Sequence, residues 1–152
     1  MKWVQNRLRG FAENPENPVQ LESAERFLLT FALMEKLIRR TLTELIQIRE
    51  GALTAEDIAD RQREVTWGNI NGIWRRNDPN RRLLSVVLGN NGEFDQILEW
   101  SRMRNALVHG GVQRYGQEYE DALPQMVAMI AHIRARFQAE YHYYGWSGSQ
   151  FH

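Results

Sequence analysis

Within the stretch RMRNALVHGG, residues 102–111, an arginine (Arg104), an amide (Asn105) and an imidazole (His109) fall inside six positions, and two glycines follow at once. These residue types suit one reaction in particular. A guanidinium forks onto a phosphate. An imidazole takes up and gives back a proton near neutral pH. An amide one turn before it can orient the ring or a substrate. Together they suit cleavage of an RNA phosphodiester by the neighbouring 2′-hydroxyl, with the histidine handling protons and the arginine stabilising the charged phosphorus centre. That chemistry needs no metal, and no cofactor is expected. Arg102, on the same side as Asn105 and His109, is a supporting cation. Gly110 and Gly111 permit a left-handed helix stop and leave space around the imidazole. A plainer role for His109 is a favourable interaction with the helix macrodipole.

The element that must position these groups is a helix over residues 93–109. At about 100° per residue, Phe94, Ile97, Trp100, Met103, Leu107 and Val108 spread over one broad face, with Arg104 in its middle. Arg102, Asn105 and His109 form a separate polar strip, and His109 lies roughly 140° round from Arg104. A buried guanidinium needs a partner, because an uncompensated buried charge costs several kcal/mol. The long helix expected over residues 21–49 supplies one. Leu28, Phe31, Ile38, Leu42, Leu45 and Ile46 form its main stripe, and Glu35 stands amid that stripe. Leu29, Leu33 and Leu37 make a second apolar face, so the centre of this helix is expected to be covered on most sides. Glu35 is therefore expected to hold Arg104 across the core, which would equally serve to fix helix register.

Almost every long stretch has helical periodicity and none alternates like a strand. A short helix is expected over 2–10 and a turn or extended loop at ENPENP, 13–18. Gly51 ends the first long helix. Thr54 caps the next, with Asp57 at the capping-box position, and that helix runs to about Val65. TWGNINGIW reads as a turn between short helical pieces. Asp78 followed by Pro79 reads as an N-cap and first helical position, opening a short helix that reaches Leu88 and stops at GNNG, 89–92. A final long helix starts between Glu118 and Pro124, where a first-turn proline is tolerated, and continues to about Tyr143. The expected fold is all-α, a bundle of three long helices with additional short ones. Its parts are an N-terminal short helix and loop (1–19), one helical domain (20–143) and a C-terminal tail (144–152).

The chain has 152 residues, which suits one domain with one core. It has no cysteine, which excludes disulfides and thiolate metal sites and favours an intracellular reading. No apolar run approaches the ~20 residues that span a bilayer, and the first ten residues carry no signal-peptide core, so no membrane partner and a cytoplasmic location are expected. Net charge is zero, so the whole molecule is no electrostatic attractor for nucleic acid. Residues 61–114 nevertheless carry nine basic and five acidic groups, and 17 of the 19 cations are arginine, a bias that high genomic GC content would also produce.

WRRNDPNRR, 74–82, sets Arg75, Arg76, Arg81 and Arg82 around a turn beside Trp74. It is the first choice for gripping an RNA backbone and stacking a base, against the plainer reading of a solvated loop. His132, His142 and His152 have no metal-ligand spacing, and His132 reads as structural. The aromatics of YHYYGW, 141–146, are assigned to packing on the bundle or a partner.

The run Arg104-Asn105-Ala-Leu-Val-His109 resembles the arginine, polar residue, spacer, histidine motif of the HEPN superfamily (higher-eukaryote and prokaryote nucleotide-binding domains), and Gly110 fits common forms of it. The surroundings are similar too: an all-helical domain of this length, a long early helix with an acid amid hydrophobes (FALMEKLIRR), and the motif on a later helix. The resemblance covers residues 20–143. It implies a homodimer whose two motifs face each other in one composite cleft, and a metal-independent ribonuclease of the kind that acts as a toxin or defence effector. It implies Arg104 and His109 as catalytic residues, with Asn105 the intervening polar one. A composite site would also relax the angular separation, since His109 of one chain could work with Arg104 of the other. The expected partners are an RNA substrate, a second copy of the chain and an antitoxin protein. Other members of the superfamily have lost cleavage and bind a nucleotide or a partner such as a nucleotidyltransferase antitoxin. A helical structural protein with a chance motif is the third reading.

Overall fold

A computed structural model of the chain describes residues 18–110 and 116–142. The short helix expected at 2–10 and the tail expected from 144 lie outside the described residues. Among the described residues six helices follow one another: α1 (Pro18–Glu50), α2 (Ala55–Glu64), α3 (Ile70–Asn77), α4 (Leu84–Val87), α5 (Glu93–Val108) and α6 (Gly116–Tyr141). The described residues contain no strand. The fold is an all-α bundle of three long helices, α1, α5 and α6, with three shorter ones between. No helix among the described residues is long and apolar enough to cross a membrane.

The core follows from the apolar periodicity of the long helices. Phe27, Phe31, Met34, Ile38 and Leu42 recur three or four positions apart on α1 and are buried. Tyr119, Ala122, Met126, Ile130, Ile133 and Phe137 do the same on α6. These two helices pack most extensively and run parallel. Phe27 meets Tyr119 at one end, with ring centroids 5.0 Å apart, and Leu45 and Ile48 share a cavity with Glu140 and Tyr141 at the other. α5 lies against α1 and buries Phe94, Ile97, Trp100, Met103 and Leu107.

The helix ends show the local chemistry. Thr54 Oγ1 accepts from the Asp57 amide at 3.1 Å and the Asp57 carboxylate accepts from the Thr54 amide at 3.2 Å, the reciprocal capping box expected there. Gly51 and Gly110 take left-handed φ values of +86° and +94° just after α1 and α5.

Four expectations are corrected. α1 begins at Pro18, three residues before Leu21, because a proline at the first helical position has φ already set and no amide to leave unpaired. α6 begins at Gly116 and ends at Tyr141, so Pro124 sits inside the helix. It lies on the exposed face, where water can reach the Glu120 carbonyl that loses its donor. Leu37 is buried, but Leu29 is 48% and Leu33 is 41% exposed, so the second apolar face of α1 is largely uncovered. Finally, Asp78 does not open a helix. It closes α3, its amide donating to the Trp74 carbonyl at 2.7 Å, and the next helix is confined to Leu84–Val87. Arg81, at φ +57°, interrupts any helical path from Pro79.

Candidate functional site

α5 and α1 present the motif residues. Arg104 stands one helical turn from Trp100 and Leu107, and its guanidinium reaches α1. Its Nη1 donates to Glu35 Oε2 at 2.9 Å. The expected pairing is thus formed, at the edge of the core: the Arg104 and Glu35 side chains are 27% and 23% exposed. Edge placement keeps both ions partly hydrated and lowers the desolvation penalty that a buried pair would carry.

The guanidinium is held on more than one side. Its Cζ lies 4.8 Å from the Phe31 ring centroid, a cation–π contact. Its Nη2 donates to Asn105 Oδ1 at 3.3 Å. Glu35 is fixed in turn. Trp67 Nε1 donates to the same Oε2 at 2.9 Å, and Arg39 Nε lies 3.7 Å from Oε1, one turn along α1. Arg39 also donates to the Gln62 and Val65 carbonyls at 3.2 and 3.0 Å, so it satisfies the C-terminal end of α2 while contacting Glu35. Trp67 is set by a tight turn in which Thr66 and Asn69 exchange side-chain and amide hydrogen bonds, at 2.7 and 3.2 Å. Its ring sits 6.0 Å from Phe31. Phe31, Trp67, Glu35 and Arg39 therefore form a cradle that fixes the plane of the Arg104 guanidinium.

His109 is the C-cap residue of α5. Its amide donates to the Asn105 carbonyl at 3.1 Å, and its side chain is exposed. Asn105 is exposed as well, and its side-chain oxygen faces Arg104. Arg102 is exposed and ion-paired to Glu99 at 2.7 Å. The structure thus joins Arg104 to Asn105 and Glu35, and leaves His109 and Arg102 on the outer strip.

The arginine turn is resolved into two sets. Arg75, Arg76 and Arg81 are exposed. Trp74 is fully buried, stacked on Phe137 with centroids 5.3 Å apart and donating Nε1–H to the Tyr141 hydroxyl at 2.9 Å. A base cannot stack on it, which corrects the role assigned to that ring. Arg82 is also committed internally, to Asp78 at 3.1 Å and Glu140 at 2.8 Å, and is no free phosphate ligand. The Asp78 carboxylate, in a residue 2% exposed, accepts from the Asn80 and Arg82 amides and from the Tyr141 hydroxyl at 2.6 Å. Burial pushes its pKa up, but hydrogen bonds from Arg82 and Tyr141 outweigh that and hold it below the ordinary 3.8. Glu140 is held low chiefly by its hydrogen bond from Arg82, and the Tyr141 hydroxyl is pushed up by burial and by its bond to Asp78.

His132 Nε2 lies 2.6 Å from the Leu88 carbonyl, which suits its structural assignment. No three His, Cys, Asp or Glu side chains among the described residues converge to hold a metal ion. Sequence reasoning missed Trp67 as a partner of Glu35 and Phe31 as the ring under Arg104. The available signal was an indole N–H beside an apolar helix bearing one acid, since a partly buried Trp usually finds an acceptor.

Searches of family models, of curated proteins and of solved structures find no match to this chain.

Proposed function

We propose that the protein is a metal-independent endoribonuclease of the HEPN type. It acts at a composite homodimer site, as a toxin or defence effector held in check by an antitoxin protein. The observation that carries the reading is the cradle: Glu35, Phe31 and Asn105 hold the Arg104 guanidinium within five residues of an exposed His109 at a glycine-terminated helix end. An ion pair at two helices' edge would fix register without an adjacent amide and imidazole. A phosphodiester site uses all of them.

In the proposed reaction the 2′-hydroxyl oxygen attacks phosphorus and the bond to the 5′-oxygen breaks. The products are a 2′,3′-cyclic phosphate and a 5′-hydroxyl end. His109 removes the 2′-hydroxyl proton and returns a proton to the leaving 5′-oxygen. Arg104 offers N–H donors not spent on Glu35 and Asn105 to the non-bridging oxygens, where negative charge grows. Its fixed plane lowers the reorganisation needed when the phosphate arrives. Because positions 104 and 109 point roughly 140° apart on one helix, the two groups act on one phosphate most readily when a second copy supplies the other. The exposed Leu29 and Leu33 lie on the opposite face of α1 from Phe31 and Glu35, so they stand outside that contact. Exposed Arg75, Arg76 and Arg81 are left to grip the RNA backbone.

One observation favours a second reading, a non-cleaving module that binds a nucleotide or a partner protein. The Arg104 charge is already balanced by Glu35, which weakens its pull on a phosphate. RNA cleavage in EDTA by wild type, Arg104→Ala and His109→Ala separates the two. Loss of cleavage in both variants, with fold and dimer retained, is expected. Wild-type cleavage by His109→Ala rejects the ribonuclease, and specific binding without any cleavage supports the second reading.

A further inference from the structure

A cavity opens beside the C-terminal ends of α1 and α6, away from the motif. Ile48, in its wall, is 13 residues along α1 from Glu35, roughly 20 Å at 1.5 Å per residue. Its volume is about 430 Å³, within the range of small-molecule sites. Leu45, Ile48, Pro79 and Tyr141 give it apolar surface. Ile48 is 57% exposed, a large apolar side chain left in water beside an open cavity.

The uncharged and acidic polar groups of the wall are already used. The Tyr141 hydroxyl donates to Asp78 at 2.6 Å and accepts from Trp74 Nε1 at 2.9 Å. Asp78 is also held by Arg82, and Glu140 by Arg82 at 2.8 Å and Arg136 at 2.7 Å. Asn77 donates to the Ile73 carbonyl at 2.9 Å, and its unpartnered Oδ1 is shielded from solvent, out of a ligand's reach. A ligand body with its own hydroxyls, amides or ring nitrogens would give up water here for few partners. A hydrocarbon body gives up nothing and covers Ile48.

The arginines of the wall differ from the acids. Arg49 stands 4.0 Å from Glu50, whose other oxygen is held by Arg61 at 2.9 Å. Neither Arg76 nor Arg81 pairs with a carboxylate among the described residues, and both are exposed. Arg81 Nη1 donates to the Arg76 carbonyl at 2.9 Å, which leaves its other N–H groups for a ligand. The rim is therefore cationic, with its acids neutralised.

From the apolar wall and this rim we infer that the cavity binds an anionic amphiphile, a hydrocarbon chain ended by a carboxylate or a phosphate. Either head fits a guanidinium fork. A methylene is close to a water in size, and at about 30 Å³ each the cavity admits about fourteen such groups, enough for a chain of about ten carbons and its head. The inference does not rest on the ribonuclease reading, since none of its residues lies in the Arg104 cradle.

Calorimetric titration of the full chain tests it, with hexanoate, octanoate, decanoate, dodecanoate, decyl phosphate, 1-octanol and adenosine 5′-monophosphate, all below micelle-forming concentrations. Affinity rises about threefold per methylene from hexanoate to decanoate and levels off once the chain outgrows the cavity. Octanol binds at least about tenfold more weakly than octanoate, a difference of one decade in Kd. Arg76→Ala/Arg81→Ala brings octanoate down to the octanol level and leaves octanol unchanged. The cavity-filling Ile48→Trp weakens both. Arg63→Ala, which removes an exposed arginine outside the cavity, alters neither. Ile48 is exposed enough that its replacement leaves the bundle folded, which circular dichroism verifies. The tighter of decanoate and decyl phosphate identifies the head. Failure of both to bind overturns the proposal, as does octanol binding as well as octanoate, affinity independent of chain length, a nucleotide binding tighter than decanoate, or unaltered binding by both cavity variants.

Discussion

Replacing Asp78 by alanine removes the acceptor on which the turn after α3 converges. The carboxylate takes the amides of Asn80 and Arg82 at 3.1 and 2.9 Å, the Arg82 guanidinium at 3.1 and 3.2 Å, and the Tyr141 hydroxyl at 2.6 Å. Breaking a buried ion pair from one side costs about 3–5 kcal/mol. Arg82 is 23% exposed and keeps Glu140, so the low end applies, about 3 kcal/mol. For a chain of this size each kcal/mol lowers Tm by about 2–4 °C, giving a fall of roughly 6–12 °C at pH 7. The sign of the pH dependence follows from the depressed folded pKa. The unfolded carboxyl titrates near pH 4, so its contribution is complete above that and is lost as pH falls through the lower folded value. Differential scanning calorimetry of wild type and Asp78→Ala from pH 7 to pH 2.5 should show a gap that is constant down to about pH 4.5 and then narrows. A Tm within about 2 °C of wild type at pH 7, or a gap unchanged at the acid end, refutes the assignment of Asp78 as an ionised organiser of this turn.

Glu35→Gln keeps an acceptor for Trp67 but removes the charge opposing Arg104. Under the proposed function its single-turnover cleavage rate should fall by about 10–100-fold, as expected for a misplaced catalytic group, and an unchanged rate would show that the cradle positions nothing. Gly110 stands at φ +94° with nothing within 4 Å of an added Cβ. Gly110→Ala should therefore cost only backbone strain, about 1–2 kcal/mol by thermal unfolding, and Gly110→Asn distinctly less; equal losses would point to something other than the left-handed conformation. Leu29→Glu combined with Leu33→Glu alters two exposed positions. It should leave folding within about 0.5 kcal/mol per site and, because both positions face away from Glu35 and Phe31 on α1, leave sedimentation as it is in the unaltered chain; loss of a dimer through these changes would place the subunit contact away from the motif.

Features governed by a few consecutive residues were legible in the sequence. The α1 stripe from Leu28 to Ile46, the Thr54–Asp57 capping box and the glycine stops at Gly51 and Gly110 all depend on neighbours within a turn or two. The Glu35–Arg104 pair spans 69 positions, yet it was readable because each charge interrupts an otherwise apolar helix face and charge balance leaves few partners. Asp78 was misread because Asp-Pro has the same local pattern whether it opens a helix or closes a turn. The choice is made by Tyr141, 63 positions away, and by the Arg82 side chain. Trp74 was misread for a related reason. Its arginine neighbours suggest a surface, but burial is decided by Phe137 and Tyr141 on α6.

The geometry of α5 also sets what any site built on it can be. Residues 104 and 109 differ by five positions, so one regular helix presents them to different directions, and the structure keeps the helix regular through Val108. Arg104 turns inward to Glu35, and His109 ends the helix facing outward. Flexing the Gly110 junction moves the chain after His109, but not the angle between two residues that both precede it. A single chain therefore offers a fixed cation and a separate imidazole, each exposed to a different approach. If both act on one phosphate, the missing half of each pair must come from outside the chain, and a two-fold axis beside α5 is the simplest source because it supplies both halves at once. Mixing inactive Arg104→Ala and His109→Ala proteins is then decisive. In a composite dimer the heterodimer regains one intact Arg–His pair and about half of the wild-type activity per heterodimer. In a site contained within one chain the mixture stays dead.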